Sequence, residues 1–426
     1  MEQSKWANLP DLVILEIYKY LSDADRLSTA LVCKNWLRMF HAPCLWRWRS
    51  FDMGGYRALK SGIRACQFAE ILGSHLRYLT ITCNHPSYHT AKVFQKAMED
   101  LLLKIRSAKI VEFEMEKLEL DRFWKYETAR DKLTNNLVRF FKGQVKIRMF
   151  DMTAAQFPAL GGIRILETVG SSSGEKVEEI YLEDFFHSRI AAFQIPRFVQ
   201  AITCFKELRF IAINYNCVSD EILEIFAKSL KGKLRCLNMK VYRNDPHRHQ
   251  VSPYIWKRLR NACPKLRVTV WIESIGFYEE VLPVLSKDMP LREFHMWTGY
   301  DDDAEWRLHD TIYHLTNTYT GSLESVSLEM DNNHEIVDEA LLALLGRCKL
   351  LRELTLNAVV MVPTIEVIMH LITERKINLQ SFHFTACGIS ETEWLELCEI
   401  KDMFTPVIEE RGLNIKFTTD LLIDVT

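Results

Sequence analysis

The chain has 426 residues and a formal charge of −2, with 54 Lys and Arg against 56 Asp and Glu. That balance excludes a duplex-binding surface spread over the whole molecule, and 48% hydrophobic with 26% charged residues excludes extensive disorder. The length exceeds what one hydrophobic core usually serves, so several domains or a repetitive architecture is expected.

No basic stretch followed by an apolar core opens the chain, so no secretory leader is expected. No run approaches the roughly eighteen apolar residues of a membrane-spanning helix. Eleven cysteines are scattered without any C-x-x-C. Cys33, Cys204, Cys236 and Cys398 sit inside apolar patterns, where a thiol behaves as a small hydrophobe. Reduced thiols in the cytoplasm or nucleus are the expectation.

The stretch from Leu9 to Phe51 is the first organised unit. Pro10 opens a segment with apolar residues at Leu12, Val13, Leu15, Ile17, Tyr20 and Leu21, the spacing of a short helix. Ser22, Asp23 and Asp25 offer turn and N-cap oxygens before a second apolar run at Leu27, Ala30, Leu31 and Cys33 to Trp36. His41-Ala42-Pro43 breaks that run, and Leu45-Trp46-Arg47-Trp48 closes the unit. Three helices of this size bury little of their own apolar surface, so the unit either rests on the remainder of the chain or completes its core with a partner.

After a turn at Asp52-Met53-Gly54-Gly55, Ala58 to Leu72 reads as a helix. A unit then recurs: an L-x-x-L-x-L segment, a polar turn and an amphipathic helix. The template holds at Leu76-Leu79-Ile81, Ile110-Phe113-Met115, Val177-Ile180-Leu182, Leu208-Ile211-Ile213 and Leu234-Leu237-Met239. It returns at Leu291-Phe294-Met296, Leu323-Val326-Leu328, Leu351-Leu354-Leu356 and Leu379-Phe382-Phe384. Weaker copies lie around Val145-Ile147, Leu266-Val268-Val270 and Leu413-Ile415-Phe417. Starting positions 177, 208, 234, 266, 291, 323, 351 and 379 give a period of 25 to 32 residues, the spacing of a solenoid with one strand and one helix per turn. Intervening helices are expected at Asp220 to Leu230, Pro253 to Ala262, Val337 to Arg347 and Thr364 to Thr373. A closed βαβ barrel or doubly wound sheet shares the alternation, but one template repeated nine times favours the solenoid.

Leu9-Pro10, the helix ending at Tyr20-Leu21, Ala30-Leu31-Val32-Cys33, Trp36 and Leu45-Trp46 resemble the F-box in order and spacing. Asn216-Cys217-Val218 and Cys387-Gly388-Ile389 occupy the place where leucine-rich repeats carry Asn or Cys and then an apolar residue. The fold expected is therefore α/β: a three-helix F-box over 5–51 followed by a leucine-rich-repeat horseshoe over 58–426. Three short stretches, Leu118 to Arg122, Tyr215 to Glu221 and Asp331 to Glu335, also look like segments of one vertebrate F-box-only member of that family.

The F-box resemblance implies docking on the Skp adaptor, and through it on a cullin scaffold and a RING subunit. By that resemblance Leu9, Pro10, Ile14, Ile17, Leu21, Leu31, Val32, Cys33 and Trp36 form the module core or its adaptor contact, with Trp36 the expected anchor. Two positions depart from the family. Leu12 stands where an acidic residue is common, and Arg26 stands where an apolar residue begins the second helix and so is expected to interrupt the greasy surface. One of Trp46 and Trp48 is expected to plug the joint to the first repeat, in place of a pair that stacks bases.

Side chains alternating with the repeat core face the concave side. Glu112, Glu114 and Glu116 then present together, as do Phe210, Asn214, His295 and Trp297 in later repeats. Glu112, Glu114, Glu116, Phe210, His295 and Trp297 are the expected substrate contacts, with the acidic strand steering a basic segment. Val241 to Gln250 is expected to be a surface loop contacting substrate, because His247 and His249 alone make a poor metal site. His85 and His89 meet the same objection, and Asp301-Asp302-Asp303 with Glu305 lacks a calcium-loop pattern. Gly170 to Lys176 lacks phosphate-loop spacing, so nucleotide binding is not expected there.

The expected function is a non-catalytic substrate receptor of a Skp–cullin–F-box ubiquitin ligase, with no cofactor, metal, membrane or nucleic acid and with a protein substrate of unknown identity. The alternative is a repeat scaffold that binds a protein partner without a ligase.

Overall fold

The computed structural model describes residues 5–54, 58–83, 91–120, 127–299, 306–332 and 335–420. His85, His89, Asp301 to Asp303 and Glu305 lie outside them. The chain forms two compact units, Met1–His187 with Gln200–Leu208, and Ser188–Val199 with Arg209–Thr426. The class is α/β, an N-terminal helical module followed by parallel strands alternating with helices, one strand and one helix per repeat.

In the first unit, helices α1 (Asp11–Tyr20), α2 (Asp23–Ala30) and α3 (Lys34–Phe40) form the small module. Pro10 stands at the N-cap of α1, and the Ser22 hydroxyl accepts the Asp25 amide at 3.2 Å to cap α2. The second apolar run is divided by Leu31 to Cys33, where Cys33 is extended with φ −160°, so α2 and α3 are separate helices. Tyr18, Trp36, Phe40 and Trp46 make the module's aromatic centre.

The repeats of this unit are β1 (Trp48–Asp52), α4 (Ala58–Leu72), β2 (Tyr78–Thr82), α5 (Ala91–Lys104), β3 (Glu112–Glu116), α6 (Glu127–Lys142), β4 (Met149–Asp151), α7 (Ala159–Ser173) and β5 (Glu179–Leu182). All the described strand pairs here are parallel. Two sequence readings change. Trp48–Asp52 is not the tail of the helical module but the first strand, with Trp48 opposite Tyr78. The weak copy placed at Val145-Ile147 is shifted: Ile147, Phe150 and Met152 are the buried set, a full template whose aromatic middle hid it.

The helix α8 (Pro196–Ile202) is divided between the two units, and the second unit holds β6 (Phe210–Asn214), α9 (Asp220–Ser229), β7 (Cys236–Tyr242), α10 (Pro253–Ala262), β8 (Arg267–Glu273), α11 (Tyr278–Val281), β9 (Leu291–Trp297), α12 (Leu308–Thr318) and β10 (Ser325–Glu329). It continues with α13 (Asp338–Arg347), β11 (Glu353–Ala358), α14 (Val362–Thr373), β12 (Ser381–Ala386), α15 (Glu391–Arg411) and β13 (Asn414–Thr419). Strands β6 to β13 pair in chain order, all parallel.

The first Leu of each template, exemplified by Leu76, Leu234, Leu323 and Leu379, is buried where the helix turns into the strand, and the next two fill the layer between sheet and helices. Each such side chain contributes about 1.5–3 kcal/mol relative to exposure. Backbone bonds repeat with the same period. The Arg77 carbonyl accepts the Val111 and Glu112 amides, Val111 accepts Arg148 and Met149, and Arg148 accepts Glu178 and Glu179. One carbonyl thus satisfies two amides of the next repeat, which fixes strand register and presents the alternate residues on the open face of the sheet. The Asn predicted to serve the turn does so: buried Asn216 donates to the Ile190 carbonyl at 2.8 Å. Asn332, which sequence reading passed over, is the fuller case. Its amide group donates to the Val359 carbonyl and accepts the Val359 amide, both at 2.8 Å.

Candidate functional site

The helical module divides its nine expected contact residues into three groups. Ile14 and Trp36 are in its core, the latter only 7% exposed. Trp36 packs edge-on to Tyr18 at 5.5 Å, accepts the Tyr18 hydroxyl on its carbonyl at 2.9 Å and donates its indole N–H to Trp6 O at 3.0 Å. Leu9, Ile17, Leu21 and Cys33 pack around that core half-buried. Pro10, Leu31 and Val32 face outward, with Leu31 79% and Val32 69% exposed. The anchor expected at Trp36 is therefore corrected: its surface is spent on internal packing, and the free apolar area lies at Leu31 and Val32.

Sequence reasoning missed several neighbours of the same character. Trp6, Leu12, Val13, Tyr20, Leu27 and Leu37 are all exposed. The signal was present in the helical period, because Ile14 and Tyr18, one turn apart, are the buried residues of α1 and leave Leu12, Val13 and Tyr20 off that face. Eight large apolar side chains exposed on so short a segment are far more than scattered surface residues.

Arg26 is also corrected. It does not interrupt this surface, because its side chain turns inward. Its Nε donates to the Tyr18 carbonyl at 2.8 Å and its guanidinium lies over the Trp46 ring at 5.3 Å. Asp23 sits 3.6 Å away and also pairs with Arg49 at 2.7 Å. Arg49 covers both Trp46 and Phe68 of α4, so both arginines lie against the buried indole at the joint. Trp46 is that plug, with its N–H bonded to the Phe40 carbonyl and its ring 5.8 Å from Phe68. Trp48 is exposed but stacks on Tyr78 at 3.8 Å.

On the open face of the first unit, Glu112, Glu114 and Glu116 do line up along β3. Thr80 and Thr82 of β2 donate to Glu114 and Glu116, each at 2.8 Å. Asp151 of β4 stands opposite Glu114, and the row from Glu112 runs through Met149 to Glu179 of β5. Burial first, then the Glu179 charge, raises the Glu112 carboxyl above the usual carboxylate range. Burial, with Asp151 and Glu116 adding, does the same to Glu114 against the Thr80 bond. Asp151 is raised by burial and by Glu116. The strand is thus an acidic surface that gains from a cation.

In the second unit, His295 and Trp297 point to the open face two residues apart on β9, and Phe210 lies half-buried on β6. His295 stacks on Trp271 of β8 at 3.9 Å with an 8° interplanar angle. Burial lowers the His295 pKa, against the pull of Glu293 and Glu353. Trp271 was not among the expected contacts, because its strand is one of the weak copies. Asn214 is removed from the face, being buried and bonded to Asp245 at 2.9 Å.

The loop at Val241 to Gln250 is corrected too. Rather than a free surface loop, it is tied into the fold by buried His247, whose Nδ1 meets the Asp245 carbonyl at 2.7 Å. His249 is held between the Phe193 and Tyr215 rings at 4.3 and 4.5 Å and bonds the Val218 carbonyl. Gly170 to Ser173 end α7 instead of starting a helix. Among the described residues no three His, Cys, Asp or Glu side chains converge to hold a metal, and no helix is long and apolar enough to cross a membrane. None of the eleven cysteines forms a disulfide.

Residues 6–52 match the F-box-like family. The chain is 23% identical over 299 residues to F-box/LRR-repeat protein 21 of Mus musculus, a match that covers 66% of this chain and 63% of the mouse protein. Over 48 residues it is 44% identical to the Bos taurus and 40% identical to the Ovis aries protein of the same name, 11% of each chain. The three stretches that resemble the vertebrate F-box-only protein 39 gain no support from these likenesses, and two of them run partly outside the described residues. The exposed apolar module is the part that matches the F-box-like model, and the parallel strand–helix repeats after it are consistent with a leucine-rich-repeat solenoid.

Proposed function

We propose that this chain is the non-catalytic substrate receptor of a Skp–cullin–F-box ubiquitin ligase, acting in the cytoplasm or nucleus. The observation that carries the reading is the exposure of Leu31 and Val32, with Leu12, Leu27 and their neighbours, on a domain matched to the F-box-like family. Such a surface loses unfavourable hydration when an adaptor covers it, at roughly 25 cal/mol per Å² of apolar area. The repeats then hold a protein target through the open face of the sheet. Glu112, Glu114 and Glu116 steer its basic segment, and Phe210, His295 and Trp297 give it apolar contact. The receptor contributes proximity, and the recruited ubiquitin-charged enzyme does the chemistry.

The test is co-purification of the full chain with the Skp adaptor, cullin and RING subunits, compared with the Leu31→Asp/Val32→Asp variant. Capture of all three by the wild type and none by the variant supports the ligase reading. Equal capture by both moves the docking surface away from Leu31 and Val32, and capture by neither leaves the protein as a repeat scaffold without a ligase.

A further inference from the structure

At the C-terminal ends of β9 to β12 the second unit opens into a cleft of roughly 290 Å³. Trp297, 38% exposed, forms one wall, and Met330 and Val359 line the apolar part. Glu329, Asp331 and Asp420 supply the charge, and none of the described lining residues is Lys, Arg or His. The aromatic wall continues on the sheet, where the Trp271–His295 stack lies on the strand positions just before Glu273 and Trp297.

We propose that this cleft receives one lysine or arginine side chain of the partner segment held on the open face. The assignment rests on the reading of that face as the target-binding surface. Three features select this occupant. An indole face attracts a cation through its ring quadrupole, and Trp is the strongest of the aromatic rings in this respect. The carboxylates supply charge-assisted acceptors, yet among the described residues no three acidic, thiol or imidazole groups come together closely enough for a metal ion. An organic cation spreads its donors over such a rim, and its aliphatic stem covers Met330 and Val359. The volume suits a single long side chain and lies at the lower limit for small-molecule pockets.

The negative field reaches into the cleft. Cys387 donates its S–H to Asn357 Oδ1 at 2.7 Å. Its thiol pKa is pushed up to about 11, by burial first and then by the charges of Asp420 and Asp331. A guanidinium or ammonium group in the cleft neutralises the same field.

The test uses the full chain and three trifluoroacetyl-tagged pentapeptides followed by fluorine NMR, identical but for Arg, Lys or citrulline at the centre. The expected result is binding of the Arg and Lys peptides at least tenfold tighter than the citrulline peptide. Glu329→Gln/Asp420→Asn and Trp297→Leu should each remove at least tenfold of that affinity, while Glu396→Gln/Glu399→Gln on the exposed side of α15 leaves it unchanged. Equal binding of all three peptides, binding of none, or loss only in the Glu396/Glu399 variant overturns the proposal. Adaptor capture, measured on the same samples, separates the two readings. Capture without cation preference sinks the cleft alone, and cation preference without capture sinks the ligase reading alone.

Discussion

The F-box-like module and the repeats solve opposite surface problems. In the repeats, the nine full L-x-x-L-x-L copies are buried, and the face left open carries Glu, Thr, Ser and Asn with a few aromatic rings. In the module, the core takes in Ile14, Tyr18, Ala30, Trp36, Met39, Phe40, Leu45 and Trp46, while Leu12, Leu27, Leu31 and Val32 remain in water. The difference separates two kinds of recognition. An apolar face suits one constant partner that buries it, whereas a polar, charged face with sparse aromatic anchors discriminates among targets by electrostatic fit.

The contrast is sharpest within the module, between residues that look alike in sequence. Trp36→Ala should lower the stability of the module by about 3–5 kcal/mol, read by chemical denaturation, because it empties the core around Tyr18. Unchanged stability with weaker adaptor binding would return Trp36 to the docking surface. Leu31→Asp/Val32→Asp should do the reverse. We expect adaptor affinity to fall by about 100-fold, near 3 kcal/mol, with the unfolding midpoint unmoved, since both side chains are already in solvent. A shifted midpoint would show that they pack internally.

Arg26→Leu divides the two regions of the module more finely. Loss of the bond to Tyr18 O and of the contact with Trp46 should cost about 1–2 kcal/mol of stability and leave adaptor affinity within twofold. A clear gain in affinity would mean that the guanidinium does interrupt the docking face.

The smallest effect belongs to the acidic strand. Glu112, Glu114 and Asp151 have raised pKa values in the folded chain, so just above the ordinary carboxylate range the folded state holds more protons than the unfolded state. Their contribution to stability is therefore present at lower pH and is lost as pH rises through the folded pKa values. Asp151→Asn should flatten that part of the stability–pH profile. An unaltered profile would show that burial does not hold this carboxyl in its protonated form.

Much of this was legible in the sequence because it depends on period. The L-x-x-L-x-L template, its spacing of 25 to 32 residues and the Leu9 to Trp46 pattern name the strands, helices and F-box directly. Period is also why Glu112, Glu114 and Glu116 were placed on one face. Where the template used unusual residues, as in the Ile147-Phe150-Met152 copy, the register slipped, and Trp48–Asp52 was missed as a strand for lack of any leucine.

What the sequence determined by itself was the alternation of strand and helix, since apolar periodicity is local. Which apolar residues face inward in a module too small to bury them all was decided by tertiary packing. Trp36 and Arg26 went in because Tyr18 and Trp46 offered partners, and Leu31 and Val32 stayed out because the break between α2 and α3 left nothing over them. The cleft at Trp297 is likewise a tertiary product. Its residues come from five different stretches of chain, and only strand register brings their charges to one indole.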